Sequence, residues 1–271
     1  MARAERSRDE PATAVATAPA ERRPGGRRRA PRPTVVLLVR HGTTATTGQR
    51  LPGRAPGLHL SDEGRAQAER VAARIAGLGG SPGAPGAAAG TAAGDGRSPA
   101  RGRGRRRRNP APPGVAAVYA SPLERARETA APIARALGRE VVTDEGLVEL
   151  DVGDWTGLEL KDARKRKEWA TIQRYPSGFT FPGGESFVAM QARITAALDR
   201  LRAAHAGETV VAVSHADPIR AAVAHAMGTH LDLFQRVVVS PCSLTAIAYG
   251  PDGPTVLTVN DTSATGALVP A

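Results

Sequence analysis

The chain has 271 residues, 37 Lys and Arg against 26 Asp and Glu, a formal net charge of +11, and one cysteine, Cys242. This length accommodates one large or two small domains, and a single cysteine excludes a disulfide framework and a cysteine-rich zinc site. The apolar stretches are too short to span a bilayer and none follows the N-terminal arginines, so we expect no membrane span and no secretory signal, and a cytoplasmic location.

The positive charge lies in two segments of low complexity. Residues 1–33 carry a net charge of +5 and residues 79–114 a net charge of +6, so the rest of the chain is neutral overall. Neither segment has the large apolar residues that a core requires, and we predict a disordered tail at 1–33 and a disordered Gly/Arg-rich insertion at 79–114. The favoured interpretation is that both are solvated, and weak contact with nucleic acid or an acidic partner is the alternative. We also predict a flexible C-terminus at 263–271.

Buried strands and amphipathic helices alternate along the remaining sequence. Predicted strands lie at 34–39, 115–120, 140–143, 209–213, 237–239, 243–249 and 255–260, and the last two are candidates for an antiparallel pair. Predicted helices lie at 61–78, 121–137 and 186–205, with one more capped by Asp217; Ser121 and Glu124 are typical of a capping box. Continuous aliphatic strands that alternate with helices indicate an α/β fold, a doubly wound and mostly parallel sheet with helices on both faces.

Polar residues follow three of the predicted buried strands. Arg40 and His41 follow the first strand, Ser121 and Arg125 follow the second, and His215 follows the strand at 209–213. In an open α/β sheet, ligands bind in the crevice beyond the carboxyl ends of the strands. Two guanidinium groups and two imidazoles meeting there would supply a tetrahedral dianion with bidentate donors, neutralising charge and a nucleophile.

Short motifs around these residues occur in one order along the chain. The R-H-G tripeptide at 40–42 is followed by GRAPGLHLSDEG at 53–64, YASPLERARETA at 119–130, LVELDVGDWTG at 147–157, PGGES at 182–186 and VSH at 213–215. Together they resemble branch 1 of the histidine phosphatase superfamily, the phosphoglycerate mutase-like proteins, over a domain at 34–262. The stretch at 230–243 most resembles a subgroup from high-GC bacteria labelled "probable phosphomutase".

The resemblance implies an enzyme that uses neither a metal nor another cofactor. His41 would attack phosphorus through an unprotonated ring nitrogen and form a phosphohistidine. Arg40, Arg125 and His215 would hold the equatorial oxygens, where transition-state charge accumulates. Glu149 would protonate the leaving alkoxide and then deprotonate the water that hydrolyses the intermediate, which requires a raised carboxyl pKa.

The resemblance leaves alternatives for the proton donor and for the substrate contacts. Asp151 shares the extended face of Glu149 and is the rival donor. Thr47 stands where the family usually has Asn, and its hydroxyl donates one hydrogen bond with a shorter reach. The residues assigned to substrate binding are Thr44, Thr47, Arg54 and Ala216.

Hydrolysis of a small phosphomonoester is the leading hypothesis. A phosphomutase is the alternative, but family mutases follow the catalytic Glu with a basic, aromatic stretch, whereas residues 149–153 here are acidic and apolar. A phosphohistidine protein phosphatase or a non-catalytic binding protein is the second alternative. Compact protein phosphatases lack the segment at 158–184, which we expect to form a small cap over the C-terminal edge of the sheet and to favour a small substrate. The sequence is compatible with several substrates: sugar phosphates, phosphoglycolate-like acids, nucleotide-pathway phosphates and ribazole phosphate. It is also compatible with any oligomeric state.

Overall fold

The computed structural model describes residues 31–78 and 114–262. The predicted disordered tail, the Gly/Arg-rich insertion and the flexible C-terminus lie almost entirely outside these residues, at 1–30, 79–113 and 263–271. Within the described ranges, no helix combines the length and the apolar character needed to cross a membrane.

Six strands in the described part of the chain form one sheet in the order β3-β2-β4-β1-β5-β6. Their bounds are β1 Thr34–Arg40, β2 Val115–Ala120, β3 Val141–Thr143, β4 Thr209–Ser214, β5 Leu244–Gly250 and β6 Gly253–Asp261. The first four strands pair in parallel, and β5 runs antiparallel to both of its neighbours. The predicted doubly wound, mostly parallel sheet is therefore confirmed, as is the antiparallel pair at its C-terminal end.

Helices cover both faces of this sheet. The longer ones are α1 Asp62–Leu78, α2 Glu124–Leu137, α5 Phe187–Ala204 and α6 Ala216–Ala226, and the short ones are α3 Leu160–Ala163 and α4 Trp169–Arg174. Alternate residues of a strand face opposite sides, so Leu37 and Val39 pack with α1 and α2, whereas Val36 and Leu38 pack with α5 and α6. Burial on both faces explains the continuous aliphatic run of β1.

The predicted start of α2 is wrong in one informative respect. The helix begins at Glu124, and its N-cap residue Leu123 makes no side-chain capping bond. The hydroxyl of Ser121 lies 2.8 Å from Nε2 of His215 instead. No Ser121–Glu124 capping box forms: locally the serine hydroxyl accepts only a long bond from Leu123 N at 3.4 Å, and Glu124 Oε1 accepts from Gly57 N at 3.1 Å. Asp217 likewise lies inside the first turn of α6, whose N-cap residue is His215.

The predicted strand at 237–239 is also wrong, since these residues form no strand. Their carbonyl oxygens accept hydrogen bonds from side chains rather than from a sheet ladder. Arg220 Nε donates to Val237 O at 2.9 Å, and Arg40 Nη1 donates to Val239 O at 2.7 Å. This irregular segment therefore serves as a support for Arg40.

The segment predicted to form a cap, 158–184, is joined at its base to the loop that follows β1. Leu51 N donates to Leu158 O at 2.9 Å, and Leu160 N donates to Gln49 O at 2.8 Å. Two of its aromatic residues, Phe179 and Phe181, are buried with Trp155 in the core. The phenylalanines thus anchor the segment to the α5 and α6 side of the sheet.

Candidate active site

The carboxyl ends of three parallel strands lie level with one another. Arg40 at the end of β1 pairs in register with Ser214 at the end of β4, and Ala120 at the end of β2 pairs with Val213. Side chains carried just beyond these positions therefore emerge at the same edge of the sheet. This is the crevice in which α/β proteins bind ligands.

His41 is buried at this edge, with its ring 5.1 Å from that of His215 between centroids. Its Nδ1 lies 2.8 Å from Gly42 O, and because a carbonyl only accepts, Nδ1 carries the proton and Nε2 presents a lone pair. Burial and the charges of Arg40 and Arg125 lower the pKa of His41 to about 3. The imidazole is therefore neutral at pH 7 and its Nε2 is available as a nucleophile.

The loop that carries His41 is held by α2 and by the start of α1. Gly42 N donates to the Thr129 hydroxyl at 3.0 Å, which in turn donates to Arg125 O at 2.7 Å. A Cβ on Gly42 would lie 2.6 Å from Gly64 O, so only glycine allows this approach. Sequence reasoning missed Thr129; the signal was its place one turn after Arg125 within the motif at 119–130.

Arg40 and Arg125 present unpaired nitrogens beside His41. Arg40 Nη1 donates to Val239 O at 2.7 Å and Arg125 Nη2 to Gly53 O at 2.8 Å. The buried atoms Arg40 Nε, Arg125 Nε and Arg125 Nη1 have no hydrogen-bond partner within the described residues. Burial lowers the pKa of both guanidinium groups, yet arginine in proteins stays protonated. Unpaired cationic donors gathered at one point suit a phosphate group.

His215 is completely buried at the N-terminus of α6. Its Nε2 is held by the Ser121 hydroxyl at 2.8 Å, and its Nδ1 lacks a hydrogen-bond partner in the described part of the chain. Burial, followed by the nearby His41 and Arg125, lowers the pKa of His215. Ala216 follows as the first residue of α6, where a backbone N–H has no acceptor within the helix.

Glu149 is the carboxylate that reaches His215. Its Oε2 lies 3.8 Å from His215 Nδ1, and its side chain is 15% exposed. Burial and the charge of Asp217 raise the pKa of Glu149 to about 7, against the opposing effect of Arg125. The rival Asp151 is 36% exposed, and its Oδ1 accepts from Gly153 N at 2.9 Å.

The residues predicted to bind substrate differ in what they contact. Thr44 is buried, its N–H donates to the Thr47 hydroxyl at 2.9 Å, and the two hydroxyls lie 3.0 Å apart. Arg54 donates from Nε to Glu149 O and from Nη2 to Glu185 Oε2, both at 2.9 Å. The threonines therefore stabilise each other within their loop, and Arg54 is joined to the site through the backbone of Glu149.

The chain is similar to known proteins over most of its length. The family model described as "Histidine phosphatase superfamily (branch 1)" matches residues 36–81 and 95–262. "Bifunctional protein Rv2228c" of Mycobacterium tuberculosis (strain ATCC 25618 / H37Rv) is 33% identical over 228 residues, covering 82% of this chain and 52% of that protein. "Phosphoserine phosphatase 1" of Hydrogenobacter thermophilus is 33% identical over 119 residues, covering 43% and 56%. This chain thus spans about half the length of these curated relatives.

Among solved structures, a mycobacterial glucosyl-3-phosphoglycerate phosphatase superposes with a TM-score of 0.64 at 22% identity. The match covers 86% of this chain and 100% of that one. At this identity the likeness shows a shared fold.

Proposed function

Because the chain belongs to branch 1 of the histidine phosphatase superfamily, we propose that it is a metal-independent phosphomonoester hydrolase that acts through a phosphohistidine on a small phosphorylated metabolite. The observation that carries this proposal is the neutral, buried His41 with a free Nε2 beside unpaired nitrogens of Arg40, Arg125 and His215. Two matched proteins that are named phosphatases support it.

In the first step, Nε2 of His41 attacks phosphorus in line while the bond to the ester oxygen breaks. Protonated Glu149 gives its proton to the leaving alkoxide, which a carboxyl pKa of about 7 allows near neutral pH. Charge that builds on the equatorial oxygens is met by the unpaired nitrogens of Arg40, Arg125 and His215. The product is phospho-His41 and a free alcohol.

In the second step, Glu149 is a carboxylate and removes a proton from water. The water oxygen bonds to phosphorus and the phosphorus–nitrogen bond breaks, which releases inorganic phosphate and restores neutral His41. The same guanidinium nitrogens stabilise this transition state, because the phosphoryl group has a similar charge distribution whether it is transferred to His41 or to water.

We assign the remaining predicted residues to the walls of this pocket. Thr44, Thr47 and the backbone of Ala216 would contact substrate, and the segment at 158–184 would close over it as a cap within one catalytic domain at 34–262. Residues 149–153 lack the basic and aromatic side chains that family mutases carry after the catalytic Glu, which favours hydrolysis over the transfer chemistry of a phosphoglycerate mutase.

A panel of small phosphomonoesters, with inorganic phosphate as the readout, tests this function. His41→Ala is expected to lower turnover by about 10³-fold or more, as removal of an essential nucleophile does. His59→Ala is the matched control, because His59 is exposed and pairs with Glu128 away from the site. Retained activity in His41→Ala would refute the proposal. Interconversion of 2- and 3-phosphoglycerate with little phosphate release would replace hydrolase with mutase.

A further inference from the structure

We propose that Arg54, Glu185 and Arg193 form a positioning group that holds the backbone of Glu149 and thereby sets the placement of the proton donor. This inference rests on the proposed function. It concerns residues that hold the Glu149 segment through its backbone, and it assigns to Arg54 a role other than substrate binding.

The backbone around Glu149 needs such support because it belongs to no strand. It lies between a 3₁₀ turn at Glu145–Leu147 and another at Gly153–Trp155, so its carbonyl oxygens have no ladder partners. Arginine side chains supply the missing donors. Arg193 Nη1 donates to Val148 O at 2.8 Å, and Arg54 Nε donates to Glu149 O at 2.9 Å.

Glu185 joins the two arginines into one unit. Its Oε1 accepts from Arg193 Nε at 3.0 Å, and its Oε2 accepts from Arg193 Nη2 and Arg54 Nη2, both at 2.9 Å. The Glu185 side chain is 14% exposed, so it neutralises two partly buried cations at once. Its backbone N–H also donates to Asp151 O at 2.9 Å. The loop after β1, the turn before α5 and α5 itself thus converge on the Glu149 segment.

The position of the Glu149 carboxyl follows its backbone closely. Its Oε1 accepts from the next N–H, that of Leu150, at 2.9 Å, so any movement of the segment moves the carboxyl relative to His41. A misplacement of about 1 Å costs up to about 10²-fold in rate when a catalytic group loses its geometry. A looser segment would also admit water.

Water beside Glu149 would change the pH at which its carboxyl group titrates. The charged and titratable groups that face it are Asp217 and His215 on α6, Arg125 on α2 and Arg40 on β1, with the positioning group behind its backbone. Burial is the largest cause of its raised pKa, so hydration lowers that pKa from about 7 towards the ordinary value of 4.5.

The inference is tested by comparing substrates with a poor and a good leaving group in two variants, Glu185→Gln and the milder Arg54→Lys. We expect kcat/KM for an alkyl phosphate to fall about 10- to 100-fold, in line with lost positioning. For p-nitrophenyl phosphate we expect a fall of at most about 3-fold, because a good leaving group departs without a proton. In both variants, the alkaline fall in the pH profile of kcat/KM for the alkyl phosphate should move to lower pH.

Matched controls are Arg50→Lys and Glu159→Gln. Arg50 donates to a carbonyl, Gly157 O, at 3.1 Å and to Glu159 at 3.0 Å, the same kinds of bond as Arg54 makes, but away from Glu149. In both controls, the ratio of kcat/KM for the alkyl phosphate to kcat/KM for p-nitrophenyl phosphate should equal that of wild type. If kcat/KM fell equally for both substrates in Glu185→Gln and Arg54→Lys, and the alkaline fall of the pH profile did not move, the role would be purely structural. That result would overturn the inference.

A carbon-13 NMR titration of the Glu149 carboxyl separates this inference from the proposed function. It reports the pKa without requiring turnover, and we expect a lower value in Glu185→Gln than in wild type. An unchanged pKa would contradict the positioning role. If His41→Ala kept full activity, the proposed function would fall while this titration would still decide the positioning role.

Discussion

Ser121→Ala removes the only hydrogen bond that the described structure gives to the ring of His215, apart from the contact of that ring with Glu149. His215 is completely buried, so water would not replace the lost hydroxyl. If the Ser121 hydroxyl donates to Nε2, then Nδ1 carries the proton that we propose faces the substrate phosphate, and the variant frees the ring to adopt the other tautomer. Leaving a buried polar atom without its partner costs about 1–3 kcal/mol.

If that cost appears in the transition state, kcat/KM falls about 5- to 150-fold, because about 1.4 kcal/mol corresponds to a factor of ten. The assay is steady-state phosphate release, with the melting temperature measured in parallel. Ser243→Ala is the matched control, since Ser243 is equally buried but its hydroxyl has no partner within the described residues. Activity of Ser121→Ala within twofold of wild type, or an equal loss in Ser243→Ala, would refute the reasoning.

The remaining predictions concern Glu149 and Gly42. With protonated Glu149 as the proposed donor, kcat/KM for an alkyl phosphate should be level below pH about 7 and fall above it. Glu149→Gln should remove this fall along with most of the activity. The folded-state pKa lies above the unfolded value, so wild type loses stability as pH rises from about 4.5 to 7, because Glu149 ionises in the unfolded chain while it stays protonated in the folded one. The stability of Glu149→Gln relative to wild type should therefore rise over that window, and parallel pH dependences of unfolding would contradict this. Gly42→Ala should destabilise the fold by about 1–3 kcal/mol and lower activity, because its Cβ would meet Gly64 O. Gly77→Ala in α1 is the control in denaturant unfolding, since its Cβ would meet no atom of the described residues within 4 Å.

Much of the fold and half of the site could be predicted from local pattern. The aliphatic run of β1 is buried on both faces, as its composition indicates. Arg40 ends β1, and His41 and His215 follow directly after strand ends, so a parallel sheet brings all three to one edge. Glu149 could be chosen from the motif, but only the structure distinguishes its buried carboxyl from that of Asp151, because loop orientation depends on distant contacts.

The sequence by itself determined which strands are apolar on both faces and which polar residues follow those strands. Both are properties of neighbours along the chain. Tertiary structure alone decided the hydrogen-bond partners. Ser121 had a local option as a helix cap, worth about 1 kcal/mol, and instead meets His215, 94 positions away. Arg54, which the sequence placed among the substrate-binding residues, donates a hydrogen bond to Glu185, 131 positions away. Leaving a buried polar group without a partner is costly, and which groups are buried is set by the whole fold.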